Sequence, residues 1–107
     1  SMDVALKNLS SVVAERKAVM LGDMLELGAD SQSLHREVVE KLLAMDLSLI
    51  CLVGKEFAAA SAGIDGILCF ETSDALAQWL KENPLDGATA LIKGSRGTKM
   101  EKVIPML

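Results

Sequence analysis

The sequence predicts an α/β fold: a mostly parallel four-stranded sheet of order 3-2-1-4 with helices on both faces, a Rossmann-like three-layer sandwich. Three observations carry that expectation. The runs Ala18 to Leu21, Leu49 to Val53 and Ala88 to Ile92 are apolar at almost every position, as strands buried on both sides require. Between them lie segments with apolar residues three and four apart, so strands alternate with crossover helices. Glycine follows each run, at Gly22, Gly54 and Gly94, so loops open at the strand ends.

Taken in order, Met2 to about Ala14 keeps a helical spacing through Ala5, Leu6, Leu9, Val12 and Val13, with Arg16-Lys17 at its end. The first strand then breaks at Gly22 into Asp23-Met24-Leu25-Glu26-Leu27-Gly28. Ala29-Asp30-Ser31 offers caps for a second helix from Gln32 to Met45, with a stripe of Leu34, Val38, Leu42 and Met45. The second strand, Leu49 to Val53, ends at Gly54-Lys55, read as a turn, and an Ala-rich helix from Glu56 to Ala62 stops at Gly63. Ile64 to Phe70 reads as the third strand, with Asp65-Gly66 a bend at its entry. Thr72, Ser73 or Asp74 caps a helix with Leu76, Trp79 and Leu80 inward, stopped by Asn83-Pro84. After the fourth strand, Thr98 and Glu101 match a capping box, starting a last helix with Met100, Val103, Ile104 and Leu107 on its apolar face.

The 107 residues make one domain, with enough chain for a core and little for a complete two-substrate enzyme. Only 3% are aromatic, so the core is aliphatic. The formal charge is −4 and the 11 basic residues are dispersed, which argues against nucleic acid as a partner. Apolar runs fall far short of the about 20 residues that span a bilayer, and no signal peptide is visible, so a cytoplasmic protein without membrane insertion is expected. Cys51 and Cys69, each inside an expected strand and without CxxC spacing, read as small buried hydrophobes. His35 is the only histidine, so no metal site is expected.

Right-handed crossovers and the order 3-2-1-4 put the switch point between the first and fourth strands, where ligands of open α/β sheets bind. The loop after the first strand and Lys93-Gly94-Ser95-Arg96-Gly97 should therefore face one another across a crevice. Asp23 could accept from a ribose diol or pair with a cation, or hydrogen-bond backbone as loop aspartates do. Glu26 is a weaker candidate, the exposed member of a short turn. Ser95 and Arg96 offer a hydroxyl and a planar five-donor fork suited to carboxylate or phosphate, with Lys93 adding charge at the mouth and Gly94 and Gly97 letting backbone approach a ligand. His35, one turn into the second helix, reads as a packing or hydrogen-bonding residue. No GxxxxGK[ST], GxGxxG or GxSxG is present, so an enzymatic role would be that of a part.

Together Gly22-Asp23-Met24-Leu25-Glu26-Leu27-Gly28, Leu34-His35 with Val38, and Lys93-Gly94-Ser95-Arg96-Gly97 with Met100-Glu101 resemble the C-terminal domain of the Mur ligases. The likeness is greatest to the branch that adds D-Ala-D-Ala, and Ser1-Met2 looks like the end of that family's interdomain segment. The resemblance implies a cytoplasmic step of peptidoglycan synthesis. ATP phosphorylates a carboxylate of UDP-N-acetylmuramoyl-tripeptide, and the D-Ala-D-Ala amine attacks the acyl phosphate. It further implies N-terminal and central domains beyond this chain, the central one holding ATP and Mg through a phosphate loop. Asp23 would then contact the nucleotide at its ribose, and Lys93, Ser95 and Arg96 would hold the dipeptide, with Glu26 and His35 in support. The isolated domain would be inactive. Two rival readings are a receiver-like module and a non-catalytic α/β interaction module. The first needs a phosphoacceptor Asp at the end of the central strand, and Gly54-Lys55 and Phe70-Glu71 occupy the candidate positions.

Overall fold

The computed structural model describes residues 1–107. Four strands, β1 (Arg16–Gly22), β2 (Leu49–Val53), β3 (Leu68–Phe70) and β4 (Ala88–Lys93), form one parallel sheet of order β3-β2-β1-β4, as the alternation predicts. Registers bring Gly22 opposite Val53 and Leu21 opposite Lys93, so the loops after β1, β2 and β4 leave the sheet together.

Alternation along β1 divides the core. Val19 and Leu21 pack with Met2, Leu6 and Leu9 of α1 (Met2–Ser11), Val38, Val39 and Leu42 of α2 (Ser31–Ala44), and Phe57 of α3 (Lys55–Ala60). Ala18 and Met20 face the other way, against Leu76 and Leu80 of α4 (Ser73–Glu82) and Met100 and Val103 of the last segment. These layers cover the two faces of the sheet. No helix is long and apolar enough to cross a membrane.

Four expectations are corrected. Helix α1 stops at Ser11, because Val12 is extended, and Val13 is fully exposed; Arg16 and Lys17 begin β1, although the Lys17 ammonium still donates to the Ser10 carbonyl. Strand β3 is three residues long: Gly66, inside the expected run, takes a left-handed φ of 87° that turns the chain before Leu68, and the strand lies at the sheet edge. Cys69 on that edge is exposed, whereas Cys51 is buried as expected. The α-helix expected after Thr98 is a 3-10 segment over Met100–Met106, with Lys99 left-handed at φ 52° and Pro105 inside, which cannot donate an α-helical bond. A three-residue period lines up Met100, Val103 and Met106, so Ile104 and Leu107 are exposed instead of forming the apolar face.

Burial, aided by the nearby Cys69 sulfur, pushes the Cys51 thiol up from 9.0 to about 12. The fold thus holds this proton more tightly than the unfolded chain does. That contribution to stability is complete below pH 9 and is lost as pH climbs through 9 towards 12. Iodoacetamide treatment of the native chain at pH 8, read by peptide mass spectrometry, should label Cys69 and leave Cys51 free; equal labelling would contradict the burial of β2.

Candidate functional site

The loops after β1 and β4 do face one another, and they are joined. The Ser95 N–H donates to the Asp23 carbonyl at 3.3 Å, and the Ser95 hydroxyl accepts the Leu25 N–H at 2.8 Å. Glycines make the approach possible. A Cβ on Gly94 would lie 3.0 Å from the Gly22 Cα and 2.8 Å from the Met100 side chain, and one on Gly97 would lie 2.6 Å from Leu25. Gly94 and Gly97 were expected to admit a ligand; what they admit here is the chain's own side chains and backbone.

Asp23 does not present its carboxylate to the crevice. The residue is 4% exposed, and its two oxygens accept the backbone N–H groups of Glu56 and Phe57, each at 2.9 Å. Helix α3 begins after Gly54, at φ 112° with no side chain to cap it, so an aspartate from another strand supplies the cap. A Cβ on Gly54 would collide with that carboxylate. In this structure the carboxylate expected at a ribose is turned inward and bonded to the first amides of α3.

His35 fixes the same loop from below. It is fully buried, its Nε2 accepts the Met24 N–H at 3.0 Å, and Nδ1 donates to the Ser31 carbonyl at 2.7 Å, which assigns the proton to Nδ1. Its ring meets Phe57 edge-on at 4.6 Å, and Nε2 lies 3.9 Å from the Asp23 carboxylate. The reading of His35 as a hydrogen-bonding residue agrees with this placement. Glu56, which sequence reasoning passed over, completes the network by accepting from Ser31 at 2.9 Å and Gln32 at 3.1 Å. Its only signal was an acid at the second position of a helix that lacks a cap.

Three of the candidate side chains remain free, two cations and one acid. Arg96 is exposed and Lys93 half-buried, and neither side chain has a protein partner; Glu26 is exposed, at φ 62°. Thr98 donates its hydroxyl to the Ser95 carbonyl at 2.6 Å, so it closes the β4 loop instead of capping the last segment. The structure therefore separates the six candidates. Asp23, His35 and Ser95 build the mouth, Lys93 and Arg96 offer donors matched to carboxylate or phosphate, and Glu26 stays an exposed, unpaired carboxylate.

A family model described as Mur ligase, glutamate ligase domain, matches residues 1–96. The chain is 34% identical over 111 residues to the UDP-N-acetylmuramoyl-tripeptide--D-alanyl-D-alanine ligase of Rickettsia prowazekii, covering 97% of this chain and 24% of that protein. It is 34% identical over 109 residues to the Escherichia coli enzyme of the same name, covering 100% and 24%. Among solved structures, MurF from Acinetobacter baumannii superposes with a TM-score of 0.79 at 29% identity, over 97% of this chain and 24% of that one. MurF from Thermotoga maritima, solved with ADP, gives 0.78 at 24% identity, over 98% and 24%, a likeness of fold. The chain spans about a quarter of the length of these relatives.

Removing the Asp23 carboxylate leaves two amides of α3 without a partner beneath the site. Asp23→Ala should lower unfolding free energy by ~2–4 kcal/mol, and Asp23→Asn, which keeps one acceptor, by about half as much. Urea denaturation checks this; a loss under about 0.5 kcal/mol for the alanine variant would show that the cap is dispensable.

Proposed function

The chain belongs to the Mur ligase family, through its glutamate ligase domain, and from that premise we propose that it serves as the C-terminal domain of an ATP-dependent ligase. The reaction joins D-Ala-D-Ala to UDP-N-acetylmuramoyl-tripeptide in peptidoglycan synthesis. The observation that carries this reading is the likeness, along essentially the whole chain, to ligases bearing that name. Residues 1–107 form a single closing domain, with N-terminal and central domains supplying the remainder. Such an enzyme works in the cytoplasm.

In this role Lys93 and Arg96 bind and orient the anionic end of the dipeptide, while Ser95 positions the loop that carries them. Ser95 has its hydroxyl on the Leu25 N–H, so its contribution is to hold the two loops as one surface. Asp23 acts through α3, whose first amides its carboxylate accepts. Phosphate oxygens of ATP could also meet the free cations of Lys93 and Arg96. By the family likeness, ATP and Mg are held mainly by the central domain. An acyl phosphate is lost to water unless the amine is aligned and solvent excluded, and a rigid cationic lip that closes over it accomplishes both.

In the full-length ligase, Arg96→Ala should raise the KM for D-Ala-D-Ala by about tenfold or more, the loss of one charge-assisted contact. Acyl phosphate formation, trapped with hydroxylamine in the absence of dipeptide, should stay within about twofold. Equal loss of both would remove the dipeptide role. The 107-residue chain alone, incubated with ATP and both substrates, is expected to release no phosphate.

A further inference from the structure

The start of α4 carries polar groups that this function leaves unused. Thr72 caps the helix, its hydroxyl accepting the Ala75 N–H at 3.1 Å, and the first intrahelical bond runs from the Leu76 N–H to the Thr72 carbonyl. The N–H groups of Ser73 and Asp74 are thus left without an acceptor. Ser73 is 4% exposed, yet its hydroxyl has no hydrogen-bond partner in the chain. No fully enclosed side-chain polar atom lacks a partner, so the Ser73 oxygen retains access to a space outside the core. The other buried polar side chains, Asp23, His35 and Ser61, are all satisfied internally, which makes Ser73 the exception.

That space is a cleft of about 300 Å³ at the carboxyl ends of β2 and β3, between the start of α4 and the loop that follows β4. Lys99 and Lys102 line it from the loop side, and Gly54 and Gly97 bring backbone close. Lys102 is held by Asp74 at 3.2 Å, whereas Lys99 has no carboxylate partner. A larger hollow of about 600 Å³ at the amino ends of the strands is lined by Trp79, Pro84, Arg16 and Asn83, and the last two already donate to the Asp86 and Trp79 carbonyls.

We propose that the cleft is a carboxylate-binding site, with the Ser73 hydroxyl and the N–H groups of Ser73 and Asp74 donating to the ligand and Lys99 balancing its charge. Charge at the rim selects this ligand over a phosphate ester. The helix N-terminus and one unpaired lysine favour a single negative charge, while Glu71, also lining the cleft and without a cation, repels a second. The volume fits a small organic acid. The site depends only on these groups, and stands or falls separately from the ligase reading.

The test is a titration of the 15N-labelled 107-residue chain with N-acetylglycine, N-acetylglycinamide and inorganic phosphate. N-acetylglycine should shift the amides of Ser73, Asp74 and Lys99 saturably, with a dissociation constant of about millimolar order for so small a ligand. Its amide should leave them in place, and phosphate should bind more weakly. Lys99→Gln should weaken binding about fivefold and Ser73→Ala about threefold, with both spectra otherwise preserved. The proposal is overturned if the amide shifts the same resonances as the acid, if N-acetylglycine gives no saturable shift at Ser73 and Asp74, or if both variants bind as the parent does. Phosphate binding as tightly as N-acetylglycine would overturn the choice of carboxylate.

Discussion

One buried carboxylate fixes the geometry at the top of the sheet. Taking Asp23 out of water costs several kcal/mol unless its charge is met. Two N–H groups at the start of α3 meet it, at 2.9 Å each. The bond works in both directions, since α3 has glycine where a capping side chain would stand and depends on a residue 33 positions earlier. With the carboxylate held, the Asp23 N–H reaches the Val53 carbonyl and its own carbonyl is available to Ser95. The loops after β1, β2 and β4 thereby become one piece of backbone.

This changes what the glycines and the serine mean for function. A Gly-Ser-Arg-Gly stretch after a strand invites the idea of a loop wrapped around a ligand, but the close approaches here are internal, of Gly97 to Leu25 and Gly94 to Gly22. The loop is held against the protein so that Arg96 and Lys93 stay free. A rigid support beneath two unpaired cations suits the proposed closing role, because fewer backbone degrees of freedom have to be ordered on binding.

Strand order and strand-helix alternation were legible in the sequence because they follow from apolar runs and glycine stops, which are local. The switch point between β1 and β4, and the facing of the two loops, came from that order. The direction of the Asp23 side chain was not legible, since it depends on a helix start 33 residues away that lacks its own cap. Glu56 was missed for the same reason. Strand β3 was read too long and too buried because an apolar run does not distinguish an edge from a centre. In the last segment the sequence carries two conflicting signals, a capping-box spacing at Thr98 and Glu101 that favours an α-helix and Pro105, which removes a donor from it, and the 3-10 segment follows the second.

Amide hydrogen exchange in Asp23→Ala tests most directly whether the three loops behave as one unit. The N–H groups of Leu25 and Ser95 should lose protection along with those of Glu56 and Phe57, although neither Leu25 nor Ser95 bonds to the carboxylate. Faster exchange confined to Glu56 and Phe57, with Leu25 and Ser95 unchanged, would mean that Asp23 caps a helix and does nothing for the mouth of the site.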